Sequence, residues 1–230
     1  MTMRGLSEDT YRSRDLDRAT VTRAYAGWAP VYDVICGPVF LHGRRAAVAA
    51  ANRAGGRVLE IGVGTGLSLS EYDEDRTSVV GIDISPEMLA KAQARRTRER
   101  LRHVDGLYVM DAHELAFPDA TFNSAVCQFV ITLVENPERV LSECARVVRP
   151  GGELILMSHL YSERGAAAAA ERWLARRTRA IGLRPEFPFA RLQNWAETHG
   201  GVELVERRPV RPFYTLVRMR VVGRPDAAAH

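Results

Sequence analysis

Short apolar runs alternate with longer amphipathic stretches through the middle of the chain. Val58, Leu59 and Ile61 form the first run, and four more follow before residue 160. Runs of this length, bounded by turn residues, read as buried parallel strands. The pattern predicts strands over 57–62, 78–83, 106–111, 122–130 and 152–159. It predicts helices over 66–73, 86–103 and 136–148. Ser85 is placed to cap the second of these, with Pro86 at its first helical position. Pro150-Gly151-Gly152 is expected to end the third. Further on, an Ala run from Ala166 to Ala170 predicts a helix over 162–181, and a shorter one is expected over 188–199. Residues 202–208 and 213–221 read as a closing antiparallel hairpin, with Pro209 and Pro212 in its connection. Strand–helix alternation implies parallel pairing with right-handed crossovers. The expected fold is therefore α/β: a mostly parallel seven-stranded sheet flanked by helices and closed by a hairpin.

The first 54 residues have a different texture. Residues 1–18 are mostly polar, and Leu6, Tyr11 and Leu16 are too widely spaced for one helix face. They read as a mobile arm or as a basic helix that orders on an anionic membrane. Residues 20–28 look helical, and Gly27 and Pro30 break the pattern around Trp28 and Tyr32. Residues 34–40 are apolar but contain Gly37 and Pro38, which suggests a loop lid or a membrane-facing patch. An Ala-rich helix follows over 42–53 and closes at Gly55-Gly56. The expected division is an N-terminal cap and membrane-contacting arm over 1–54, a main domain over 55–222, and a disordered tail over 223–230.

Composition sharpens this. Nearly half of the 230 residues are hydrophobic, enough for one substantial core. The net charge of +4 is unevenly placed. Residues 1–54 carry eight bases and five acids, 55–158 eleven and sixteen, and 159–230 thirteen and seven. An acidic middle between basic flanks suits anionic partners such as a membrane surface or a phosphate-bearing substrate. A solvated Arg-rich surface is the plainer alternative. Cys36, Cys127 and Cys144 lack metal-ligand spacing, and Cys127 sits in an apolar run as a buried thiol would. No metal site is expected. Few cysteines, no leader segment and no membrane-length apolar run point to a cytoplasmic protein with at most peripheral membrane contact.

The candidate chemistry centres on Glu60-Ile-Gly62-Val-Gly64-Thr65-Gly66. Glycines after a strand allow a tight turn and let a ligand lie against bare backbone. A dinucleotide loop reads G-x-G-x-x-G, whereas this one reads G-x-G-x-G with a carboxylate at the strand end. Glu60 would repel a pyrophosphate and suit a cationic ligand, such as the amino-acid end of S-adenosylmethionine (SAM). The second run ends in Asp83 and the third in Asp111-Ala112. Three acids at successive strand ends give three ligand groups on one rim of one sheet.

As a set these residues resemble the class I SAM-dependent methyltransferases, whose fold is Rossmann-like. Glu60, Gly62, Gly64 and Gly66 match that family's first motif, Asp83 its ribose acid, and Asp111-Ala112 its adenine-edge pair. The resemblance adds Tyr25, Thr65, Ile84, Met88, Gln128 and Phe129 to the expected cofactor contacts. SAM is the implied cofactor and S-adenosylhomocysteine the product. Tyr25-Ala-Gly-Trp28-Ala-Pro-Val-Tyr32-Asp and Ser158-His159-Leu-Tyr161-Ser162 carry a narrower likeness, to bacterial phospholipid N-methyltransferases. That family methylates the ethanolamine head group of phosphatidylethanolamine, in up to three steps, towards phosphatidylcholine.

The reaction needs an oriented acceptor and a dry site more than a strong base. Aromatic faces suit both a sulfonium and a methylated ammonium. Tyr25, Tyr32 and His159 are the candidates for the chemistry itself. Trp28, His159, Tyr161, Ser162, Arg164, Arg211 and Tyr214 are those for holding the phospholipid. Each has a blander reading: packing for the aromatics, a structural hydrogen bond for His159, a solvated basic edge for the arginines. Anionic membrane is the expected partner, nucleic acid is not, and a monomer is favoured. Other readings are a methyltransferase of a polyprenyl quinone precursor or another small acceptor, and a non-catalytic SAM-binding membrane module. A nicotinamide dehydrogenase is disfavoured by Glu60 and the loop spacing.

Overall fold

The computed structural model describes residues 32–158, 187–210 and 214–223, with side chains from Phe40 onward. Helix α1 (Tyr32–Ala54) leads into strand β1 (Gly56–Ile61), a 3-10 turn (Leu69–Glu71) and β2 (Thr77–Asp83). Then come α2 (Pro86–Glu99), β3 (Val104–Val109), β4 (Phe122–Gln128), α3 (Pro137–Val147) and β5 (Val148–Ser158). Helix α4 (Phe189–His199) precedes β6 (Val202–Val210) and β7 (Tyr214–Val221).

The seven strands lie in the order β3-β2-β1-β4-β5-β7-β6. All pairings are parallel except those of β7 with β5 and β6. The chain builds outward from β1 to β3, then returns to build from β4 the other way. That reversal opens a crevice beyond the ends of β1 and β4, where ligands of open α/β sheets bind. One sheet face is covered by α1 and α2, through Ala47, Val48, Ala51, Leu89 and Ala92. The other is covered by α3 and α4, through Val140, Leu141, Leu192 and Trp195. The Ser85 hydroxyl accepts from Met88 N at 3.2 Å, and Asn136 Oδ1 accepts from Arg139 N at 3.0 Å, so both caps fix where their helices begin.

Several expectations are corrected. Residues 34–40 form neither a loop nor a lid, because α1 runs through Gly37 and Pro38. Pro38 is the seventh residue of the helix, where it forgoes one backbone bond, and the Ala-rich stretch beyond is held against the sheet. The helix expected over 66–73 shrinks to the 3-10 turn Leu69–Glu71. Gly62, Gly64 and Gly66 all have positive φ, which delays any helix. Asn52 of α1 then takes over the backbone, donating to Glu71 O and accepting from Asp73 N.

The third strand starts earlier than expected and forms the sheet edge, leaving Tyr108 and Val109 about half exposed. β4 stops at Gln128 because Phe129 turns to φ +59°. The third helix ends at Val147, before Pro150-Gly151-Gly152, which forms an irregular start to β5. Pro209 lies inside β6 rather than in the connection; β6 is an edge strand, where proline is tolerated. The helices expected over 20–28 and 162–181, the N-terminal arm and the tail beyond Gly223 lie outside the described residues.

Helix α4 is bound to α3 by Arg191, whose Nη2 donates to Glu138 Oε2 at 2.8 Å, and by Trp195, whose Nε1 donates to Ser142 Oγ at 3.1 Å. Trp195 is 6 % exposed. Replacing it with Ala removes a buried ring and one of that hydroxyl's two hydrogen bonds, leaving its donation to Glu138 O at 2.8 Å. The expected loss is about 3 kcal/mol of unfolding free energy, read from the shift in urea midpoint.

Candidate active site

The glycine loop follows directly from β1. Gly62 N and Val63 N both donate to Ile82 O, at 2.8 and 3.0 Å, which folds the loop against β2. A Cβ on Gly62 would lie 2.2 Å from Val130 Cγ2, and one on Gly66 2.8 Å from Leu69 Cδ1. Packing therefore demands glycine at both. At Gly64 an added Cβ meets nothing within 4 Å. There the backbone borders open space, and a ligand can approach it closely.

Two acids pin this loop. Asp83 Oδ2 accepts from Gly64 N at 2.8 Å, and Oδ1 accepts from Ser85 N at 2.9 Å. Burial pushes the Asp83 carboxyl above its usual pKa, and these backbone donors pull it back. Glu60 is 2 % exposed. Its Oε1 receives the Ser68 hydroxyl at 2.6 Å and Gln128 Nε2 at 3.1 Å. Its Oε2 has no partner, nor has Gln128 Oε1. Burial raises the Glu60 pKa to about 7, against the pull of the Ser68 and Tyr72 hydroxyls and the Arg44 charge.

The third acid is held differently. His113 donates to Asp111 Oδ1 through its backbone N–H at 3.0 Å and through Nδ1 at 2.7 Å. Asn136 N donates to His113 Nε2 at 3.2 Å, so the ring proton sits on Nδ1. Arg139 Nε donates to His113 O at 3.0 Å, tying this turn to the start of α3. Ala112 beside it is nearly buried.

The rim continues past β4 as aromatic surface. Phe129 packs against Phe40 with centroids 4.4 Å apart and against Tyr214 at 5.0 Å. Its left-handed backbone is a costly conformation for an aromatic residue. Its N–H donates to Met157 O at 2.7 Å, and a Cβ at Gly43 would lie 2.7 Å from its ring. Tyr214 reaches this rim because β7 runs antiparallel and starts opposite Ser158.

One edge of the sheet thus carries Glu60, Gly62, Gly64, Thr65, Gly66, Asp83, Ile84, Asp111, Ala112, Gln128, Phe129 and Tyr214, with Met88 buried in the first turn of α2. Tyr32 opens α1. Tyr25, Trp28, His159, Tyr161, Ser162, Arg164 and Arg211 lie outside the described residues. Sequence reasoning missed Ser68, Tyr72, His113 and Phe40. His113 follows Asp111 by two residues and could have been weighed. Ser68 and Tyr72 carry no local signal, since only the loop's path brings them to Glu60.

Two buried acceptor oxygens without donors, a bare-backbone approach at Gly64, and acids at the ends of β2 and β3 fit a ligand with a cationic amino group, a diol and an amino-bearing base. They fit SAM, and a run of acids is a poor seat for a diphosphate. Among the described residues, no group of three or more His, Cys, Asp or Glu side chains could hold a metal.

Residues 59–156 match the family described as a methyltransferase domain. The chain is 43 % identical over 202 residues to a phosphatidylethanolamine N-methyltransferase of Cereibacter sphaeroides, covering 87 % of this chain and 97 % of that one. This chain belongs to the phospholipid N-methyltransferase family of class I SAM-dependent methyltransferases. A demethylmenaquinone methyltransferase of Tropheryma whipplei is 35 % identical over 127 residues, covering 55 % of this chain and 52 % of that one. Among solved structures, a putative methyltransferase of Haloferax volcanii in complex with its Trm112 activator superposes with TM-score 0.68 at 18 % identity, over 89 % of this chain and 98 % of that one. A [4+2]-cyclase, SpnF, superposes with TM-score 0.63 at 20 % identity, over 77 % and 80 %.

In this methyltransferase burial keeps Glu60 protonated below about pH 7. The folded protein therefore holds a proton that the unfolded chain releases near pH 4.5. Folding is favoured at low pH by this group, and the benefit is lost as pH rises from the mid-4s to about 7. The expected loss approaches about 3 kcal/mol. Glu60→Gln should remove that slope, seen as a smaller difference between urea midpoints at about pH 5 and about pH 8.

Proposed function

We propose that this protein N-methylates the ethanolamine head group of phosphatidylethanolamine, using SAM and releasing S-adenosylhomocysteine. The observation that carries this is the 43 % identity, which spans 97 % of a phosphatidylethanolamine N-methyltransferase. The demethylmenaquinone methyltransferases match only about half of this chain. The quinone reading is therefore the second one, and it extends only as far as the shared cofactor chemistry.

When bound, SAM supplies an electrophilic methyl group on a sulfonium, open to in-line displacement. The protein's own contribution is binding, orientation and exclusion of water. Glu60, with Gln128, would take the cofactor's amino end. Asp83, oriented by Gly64 N, would hold the ribose hydroxyls. Asp111, steadied by His113, would take the amino group of the adenine edge.

On the acceptor side, Tyr25, Tyr32 and Trp28 give an ammonium aromatic faces and hydroxyl partners. Tyr214, packed on Phe129, is a further aromatic group for the same ammonium. The ethanolamine nitrogen must lose a proton before it can attack, and His159 takes it. Tyr161, Ser162, Arg164 and Arg211 hold the phosphate. The N-terminal 54 residues act as a cap and membrane-contacting arm on a cofactor domain over 55–222. The enzyme works at the inner face of the cell membrane as a peripheral protein. No helix among the described residues is long and apolar enough to span a bilayer.

Incubation with methyl-labelled SAM and phosphatidylethanolamine vesicles should label mono-, di- and trimethylated lipid. Label appearing only in quinones of a membrane extract would replace this reading with the second. Anionic vesicles should recruit the protein in flotation, and release it as salt is raised past the point where screening is short-ranged. Recruitment indifferent to lipid charge and salt would rule out the electrostatic account.

A further inference from the structure

Helix α2 grips the glycine loop along its side as well as at its capped end. Its buried Ala92 lies against Gly66, where an added Cβ would come within 3.1 Å of the Ala92 Cβ. Arg95 follows on the same helix face, three residues on. Its Nε donates to the Thr65 carbonyl oxygen at 3.2 Å, and its Nη1 donates to Glu99 Oε1 at 3.3 Å. The Arg95 side chain is 17 % exposed, so its charge is largely sheltered beside the loop. Arg95 belongs to none of the cofactor contacts described above.

Thr65 is buried between Gly64 and Gly66, both of which have positive φ. Glycine reaches left- and right-handed backbone at similar cost, so a peptide plane beside one turns over more readily than most. The plane joining Thr65 to Gly66 is held at both ends. Gly66 N donates to Val63 O at 3.0 Å, and Thr65 O accepts from Arg95. Gly64 N is held by Asp83, whose other oxygen accepts from Ser85 N at the start of α2. Residues 64–66 are therefore fastened to one helix twice: by an acid at its N-terminus and by a base further along. The second fastening is a hydrogen bond from a charged donor, which is stronger than a neutral one.

We infer that Arg95 is a positioning residue for the cofactor, holding the Thr65–Gly66 peptide in the orientation that presents the loop's backbone to the ligand. The inference rests on the reading that this loop takes SAM. Arg95 touches no reacting atom. Without it the loop has more orientations, and binding must select one of them. That lowers affinity and leaves methyl transfer unaltered once the cofactor is seated.

The test is calorimetric titration with S-adenosylhomocysteine, beside steady-state kinetics. Arg95→Met keeps an unbranched stem and removes the donors. It should weaken S-adenosylhomocysteine binding about tenfold and raise the KM for SAM to match, as one charge-assisted bond is lost. The kcat and the KM for phosphatidylethanolamine should change by less than about twofold. Arg95→Lys keeps a charged donor and should recover most of the affinity. Arg98 also reaches Glu99, at 2.7 Å, but is 65 % exposed; Arg98→Met should bind as the wild type does. Arg95→Gln serves if the urea midpoint shows that Arg95→Met fails to fold. Unchanged affinity on loss of the Arg95 guanidinium would overturn the inference and leave the cofactor site standing. So would an equal loss in Arg98→Met, Arg95→Lys as weak as Arg95→Met, or a fall in kcat as large as the rise in KM. Absence of binding by the wild type would overturn the cofactor reading and the inference with it.

Discussion

A carboxyl group sits at the end of the central strand, enclosed on both sides, and the local structure is arranged around meeting it. β1 has β2 on one side and β4 on the other, so Glu60 cannot reach water by leaning outward. An isolated charge there would be prohibitive. The donors that reach it come from two places. Gln128 arrives from the end of β4, and Ser68 arrives because the glycine loop doubles back over the strand end. Gly64 of the same loop is hooked to Asp83 of β2. The loop is therefore fixed at both ends by carboxylates, and its three left-handed glycines are what let it reach both. A loop held this way presents bare backbone in a defined place, which is what a small ligand needs.

The opposite side of the crevice is held by apolar contact instead. Phe129 leaves β4 in a left-handed conformation, and its ring fits between Phe40 of α1 and Tyr214 of β7. Gly43 is the concession α1 makes to that ring. Strand end, helix and hairpin thus lock one another, and a strained residue is kept where it is by packing from three elements. The hairpin's reversed strand brings Tyr214 to the functional rim. A parallel seventh strand would have started at the other end of the sheet.

Much of this could be read in advance, for physical reasons. The strands of the parallel sheet are buried on both faces, so they stand out as apolar runs ending on acids. Ser85-Pro86 marks a helix start because capping is local chemistry. The glycine spacing and Glu60, Asp83 and Asp111 were legible together because each follows a strand. What was not legible depends on distant partners. The segment after the glycines looked helical, but Asn52 of α1 takes its backbone bonds. Gly37 and Pro38 looked like breakers, but a long helix seated on the sheet carries them. The run from Leu107 looked buried, yet β3 is the edge, and nothing local says which strand is last. Tyr72 and Ser68 join Glu60 only through the loop's path.

The acceptor cannot be argued from the fold. A [4+2]-cyclase shares it at TM-score 0.63, close to the 0.68 of a putative methyltransferase. Shared architecture therefore carries a site for a ligand, and side chains decide what happens there. The acidic rim over β1, β2 and β3 is built from the elements that any such fold repeats: a strand, a turn and a helix start. The aromatic rim needs Phe40, Gly43, Phe129 and Tyr214 to be present together, from three separate stretches of chain. Identity that spans nearly the whole of a phosphatidylethanolamine N-methyltransferase covers the stretches that supply this rim, whereas a match confined to about half the chain leaves part of the chain unmatched.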